Sequence, residues 1–143
     1  MEIFQDIHSK WAYFVLALLI ITVVKTLLSL KKEYTLQDVR LPLFTLIASH
    51  IQLFIGLAWY FMSPAYKGFK ANGMSVTMKD SAARLIAVEH PLMMILAIVF
   101  ITIGFSKHKK KSTSEGKFKT LAIWYGLALV MILIRIPWGN WFN

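Results

Sequence analysis

Two of the four histidines lie inside long apolar runs. His50 sits in LFTLIASHIQLFIGLAWYFM and His90 in AARLIAVEHPLMMILAIVFITIGF, while His8 lies just ahead of the first such run. An ionisable side chain at membrane depth is costly, so it is paired, ligated or turned toward a cavity. Imidazole at that depth can either hydrogen-bond across helices or ligate a metal. The chain has no cysteine. That excludes disulfides, thiolate metal sites, iron–sulfur clusters and covalent c-type haem attachment. The remaining ligands are histidine, methionine, acidic and carbonyl groups. His108 stands among lysines in SKHKKKSTSEGKFK and is given no role.

His90 has the most informative surroundings. On a helical wheel it shares a face with Ala83, Ala87, Ala97 and Gly104, bordered by Ile86, Met94 and Ile101. Small residues above and below an imidazole serve either close helix packing or a notch for a flat macrocycle. Pro91 follows His90; it removes a backbone donor, crowds the preceding turn and leaves the Ala87 carbonyl without its usual partner. Glu89 is rotated by about 100° from His90, with Arg84 and Arg135 at similar depth. The plain expectation is an ion pair between Glu89 and one arginine. The sharper one is an arginine contact to a haem propionate, because the planar guanidinium donates two parallel hydrogen bonds to a carboxylate. Around His50, the stripe Thr45, Ser49, Gln52 and Gly56 offers hydrogen-bond partners.

These residues need a membrane scaffold. The chain has 143 residues, of which 57% are hydrophobic. The apolar residues gather in runs of about 20, the length that crosses a bilayer as a helix. The sequence predicts helices at about 11–30, 41–62, 82–105 and 118–138, forming one all-α integral membrane domain over 1–143. No run alternates like a membrane strand. The first run lacks a basic leader and a small-residue cleavage site, so it reads as a retained helix. The longest connection is about 20 residues, which leaves no room for a catalytic domain outside the membrane. That connection, SPAYKGFKANGMSVTMKD, contains Pro64, Gly68 and Gly73 and is expected to be irregular. Asp80 or Ser81 is expected to cap the third helix.

The net charge of +9 would point to nucleic acid in a soluble protein. Here the bases flank apolar runs and set topology. Lys25, Lys31, Lys32, Arg40, Lys107, Lys109, Lys110, Lys111, Lys117 and Lys119 fall on one side. Lys10, Lys67, Lys70, Lys79, Arg84 and Arg135 fall on the other. The richer side is expected to be cytoplasmic, with both termini outside (periplasmic) in an up-down-up-down bundle. Trp11, Tyr13, Trp59, Tyr60, Tyr66, Trp138 and Trp141 then fall near the outer interface, and Trp124 and Tyr125 toward the inner one. Two imidazoles on opposite faces of one haem fit diagonal helices better than neighbours, whose axes are about 8–10 Å apart. A square bundle makes helices one and three diagonal, favouring His8 with His90. His50 is the more deeply buried by sequence and needs a partner more, so the choice between them stays open.

The segments HSKWAY, SHIQLFIGLAWYF, RLIAVEHPLMM and RIPW resemble those of a family of small bacterial membrane proteins labelled cytochrome b-like. The resemblance runs over nearly the whole chain. It implies non-covalent b-type haem, with His8, His50 and His90 as the matching ligand candidates.

The expected function is haem binding in the bacterial cytoplasmic membrane, for single-electron transfer or as a haem-bearing subunit rather than a stand-alone enzyme. Quinone or a respiratory complex is the expected partner besides the bilayer, and nucleic acid is not. A non-catalytic subunit or assembly factor is the alternative. Copper handling ranks lower: Met62, Met74, Met78, Met93 and Met94 accompany His8 and His90 in the outer half, and thioether with imidazole suits Cu(I).

Overall fold

The computed structural model describes residues 2–139; Trp141 lies outside them. Among these residues there is no strand, and five helices run in order. They are α1 (Glu2–Leu28), α2 (Arg40–Met62), α3 (Pro64–Lys79), α4 (Ser81–Lys110) and α5 (Ser114–Arg135). A short 3-10 turn, Leu36–Val39, leads into α2. All but α3 are long and apolar enough to cross a membrane, so the chain is a multi-pass membrane protein. Their outer surfaces carry exposed Phe14, Ile21, Phe44, Phe54, Leu96 and Val130, as a lipid-facing bundle requires.

The four long helices form a square. α1 packs on α2 and α5, and α4 packs on the same two, so α1 and α4 face each other across a diagonal. The tightest contact is α4 with α5. A Cβ at Gly104 would come within 2.4 Å of the Trp124 Cβ, so only glycine lets these backbones approach. Leu19, Ala97, Ile101, Leu121, Tyr125 and Ala128 make the buried core, with Phe105 at its edge. Tyr125 is fully buried and donates to the Pro42 carbonyl at 2.9 Å; it is a core residue rather than an interfacial anchor. Thr22 and Thr45 share a hydrogen bond of 2.9 Å between α1 and α2.

The start of α1 and the connection before α4 differ from expectation. α1 starts well before residue 11, which places His8 within the helix. The connection expected to be irregular is helical instead. Ser63 caps α3 by accepting from the Tyr66 N–H, with Pro64 in its first turn, an arrangement that starts helices because proline lacks only an N–H that would go unpaired anyway. Gly73, at φ +83°, breaks α3 in a conformation that glycine adopts without steric cost. Asp80 caps α4 as expected, accepting from the Ala82 and Ala83 amides.

Pro91 leaves its mark as a π turn. Over Leu85–Glu89 the helix widens, and the His90 N–H reaches back five residues to the Leu85 carbonyl. The carbonyl of Ala87, deprived of the amide that Pro91 lacks, accepts instead from the Tyr60 hydroxyl of α2 at 2.6 Å. The extra residue in the turn rotates everything before it by about 100° relative to a regular helix. Ala83 therefore leaves the face it would share with His90.

Candidate functional site

At the end of the bundle where α1 and α4 begin, the helices border a partly open cavity of about 180 Å³. Its walls are mostly apolar, from Leu16, Leu53, Ile86, Met94, Ile98 and Ile132, with Trp59 and Gln52 among the other lining residues. His8 from α1 and His90 from α4 both line it. Their ring centres lie 6.3 Å apart and their planes are perpendicular.

Each ring is held differently. His90 Nδ1 lies 2.8 Å from the Arg135 carbonyl. A carbonyl only accepts, so Nδ1 carries the proton and Nε2 keeps its lone pair. That carbonyl is available because α5 ends at Arg135, and the last carbonyls of a helix have no amide of their own. His8 is held by packing. Its ring stacks on Trp59 at 5.6 Å and 25°. A Cβ at Gly56 would lie 3.1 Å from the His8 Cε1, so the glycine opens the space the ring occupies. His8 Nδ1 is buried with no hydrogen-bond partner, and so is Gln52 Oε1. The Gln52 amide instead anchors the His8 backbone, donating to its carbonyl at 2.8 Å.

His50 is placed elsewhere. It does not line the cavity. Its Nδ1 lies 2.8 Å from the Leu46 carbonyl and its Nε2 lies 3.5 Å from the Thr102 hydroxyl of α4. Both ring nitrogens thus face protein atoms in the α2–α4 seam. Arg84 pairs with Glu89 at 3.4 Å and donates to the Met78 carbonyl, which is the plain expectation for Glu89. Arg135 meets His90 through its backbone, and its guanidinium donates to the Ile134 carbonyl. Neither arginine lines the cavity, and of Met62, Met74, Met78, Met93 and Met94 only Met94 does. Among the described residues, no group of three or more His, Cys, Asp or Glu side chains is arranged to hold a metal ion.

His108, which has no expected role, is fully buried at the opposite end of the bundle. Its Nδ1 faces the Phe105 carbonyl at 2.5 Å and its Nε2 faces the Tyr34 hydroxyl at 2.8 Å. Burial, and secondarily the nearby Asp38 carboxylate, raise the Tyr34 phenol above its ordinary pKa, so it stays protonated and donates to Nε2. The Tyr34 amide donates to Ser114, and Lys117 donates to the carbonyls of His108 and Lys109 that end α4. This network ties the two basic connections together. The lysines flanking His108 hide it in sequence; only its spacing of three from Phe105 hints at the buried side of α4.

No protein-family model, curated protein or solved structure matches this chain.

Proposed function

We propose that this chain binds b-type haem in the bacterial cytoplasmic membrane, with His8 and His90 as the residues that would hold its iron and both termini outside. In this reading it passes single electrons, as a carrier or as a haem-bearing subunit, between the quinone pool and a partner in a membrane complex. The supporting observation is the meeting of two imidazoles from diagonal helices in one apolar cavity, their centres 6.3 Å apart. Two imidazoles on opposite sides of one iron have centres about 6 Å apart, from two bonds of about 2 Å and about 1 Å from each donor to its ring centre. A bound haem would supply a one-electron iron couple, and it asks the protein for only two ligands.

The residues divide the remaining work. His90 presents Nε2 because Nδ1 is committed to the Arg135 carbonyl, an outer hydrogen bond that fixes tautomer and orientation and raises ligand basicity. Gly56 and Trp59 set the position of the His8 ring. The mostly apolar lining would raise the cost of a charge change at the iron. The cavity lies below the range of about 300–1,000 Å³ common for ligand sites, so a macrocycle enters by turning side chains, of which Met94 is the most adaptable.

An absorption spectrum of the detergent-purified full chain tests this. We expect a Soret band that sharpens on dithionite reduction, lost in His90→Ala and retained in His50→Leu. A colourless protein from haem-replete cells ends the reading. One observation favours copper as a second reading, since Met94 shares the cavity with both imidazoles. Stoichiometric copper without haem in the purified protein would select it.

A further inference from the structure

Resting on the haem reading above, we propose that the two ligands are unequal: His90 is the permanent one, and His8 is displaceable by a small neutral molecule such as carbon monoxide, nitric oxide or dioxygen. The asymmetry lies in how each ring is held. His90 stands within α4 on a segment fixed by two neighbours. The Tyr60 hydroxyl of α2 holds the Ala87 carbonyl three residues before it, and the Arg135 carbonyl of α5 holds its own Nδ1. Rotating this ring away from the cavity breaks that hydrogen bond and leaves the Arg135 carbonyl, at the end of α5, without it.

His8 carries no comparable restraint. Its backbone is anchored by Gln52, but its Nδ1 forms no hydrogen bond. The ring is kept in place by stacking on Trp59 and by contact with Gly56. Residues 2–7, which precede it on α1, are all exposed, so this end of the helix is less tightly packed than the segment that carries His90. A ring turned away from the iron gives up stacking and no hydrogen bond of its own. With haem bound, His8 would therefore exchange with an incoming ligand more readily than His90.

The experiment uses the haem-loaded full chain in detergent, reduced with dithionite without oxygen and titrated with carbon monoxide. We expect the wild type to bind carbon monoxide, seen as a shifted and intensified Soret band. His8→Ala should retain haem in a high-spin form and bind carbon monoxide at least about tenfold more tightly, because the internal competitor is gone. Added imidazole should restore its low-spin spectrum, which also shows that the variant is folded. His90→Ala should lose the haem. A wild type that holds haem but keeps an unchanged spectrum under saturating carbon monoxide overturns the inference and leaves the haem reading intact. So does the inverse pattern, with haem lost in His8→Ala and high-spin haem kept in His90→Ala. Absence of haem from every preparation overturns the underlying reading itself.

Discussion

His50 and His90 both commit Nδ1 to a backbone carbonyl, and the difference between them is what Nε2 then meets. For His50 it is the Thr102 hydroxyl at 3.5 Å, a contact at the limit of hydrogen bonding. Side-chain hydrogen bonds between membrane helices average about 0.6 kcal/mol. His50→Leu, which keeps the volume, should therefore cost about 1 kcal/mol or less in a denaturation series and leave haem content unchanged. Loss of haem in that variant would move the ligand assignment to α2. The residue type alone could not separate these roles. Gly56 looks in sequence like one more small residue on the His50 helix; its use becomes visible only when the His8 ring fills the space beside it.

Pro91 acts at the scale of the element. It deletes one donor, the helix widens into a π turn, and the stranded Ala87 carbonyl is taken by Tyr60. The free carbonyl was legible from the sequence, because proline always removes that amide. Its rescuer was not, since Tyr60 reads equally well as an interfacial anchor. Tyr60→Phe should cost about 1 kcal/mol in the wild type, the value of a typical hydrogen bond. In a Pro91→Ala background the restored amide should supply the carbonyl, and the same substitution should cost much less. A double-mutant cycle reads that coupling directly; equal costs in both backgrounds would deny it. The α3 helix was legible and missed. Ser63 followed by Pro64 is a helix start, but the two glycines and the low hydrophobicity of the segment argue for a loop.

Over the whole molecule, the packed core and the cavity occupy different parts of the bundle. Leu19, Ile101, Leu121 and Tyr125 fill the core, and the His108–Tyr34 network closes the end beyond it. The cavity lies toward the opposite end, where α3 lies beside the start of α4. The lysine distribution sets the orientation expected for this arrangement. The natural absence of cysteine makes it simple to check. Ser75→Cys should react with a membrane-impermeant maleimide in intact cells, and Ser112→Cys only after the membrane is opened. The reverse pattern would place the cavity on the cytoplasmic side.

The number of membrane crossings, a cap at Asp80 or Ser81 and the freed carbonyl of Ala87 could be read from the sequence itself. Each depends on residues within a few positions of one another: the length of an apolar run, a side chain beside open amides, a ring in place of an N–H. Which histidines meet depended on the tertiary structure. Diagonal packing brings α1 and α4 to a common cavity, the early start of α1 carries His8 into it, and the π turn rotates the residues before His90 out of register with it. Depth and rotation of separate helices are set by contacts such as Gly104 against Trp124 and Thr22 with Thr45. Those contacts join residues far apart in the chain, so no local pattern around a histidine could reveal its partner.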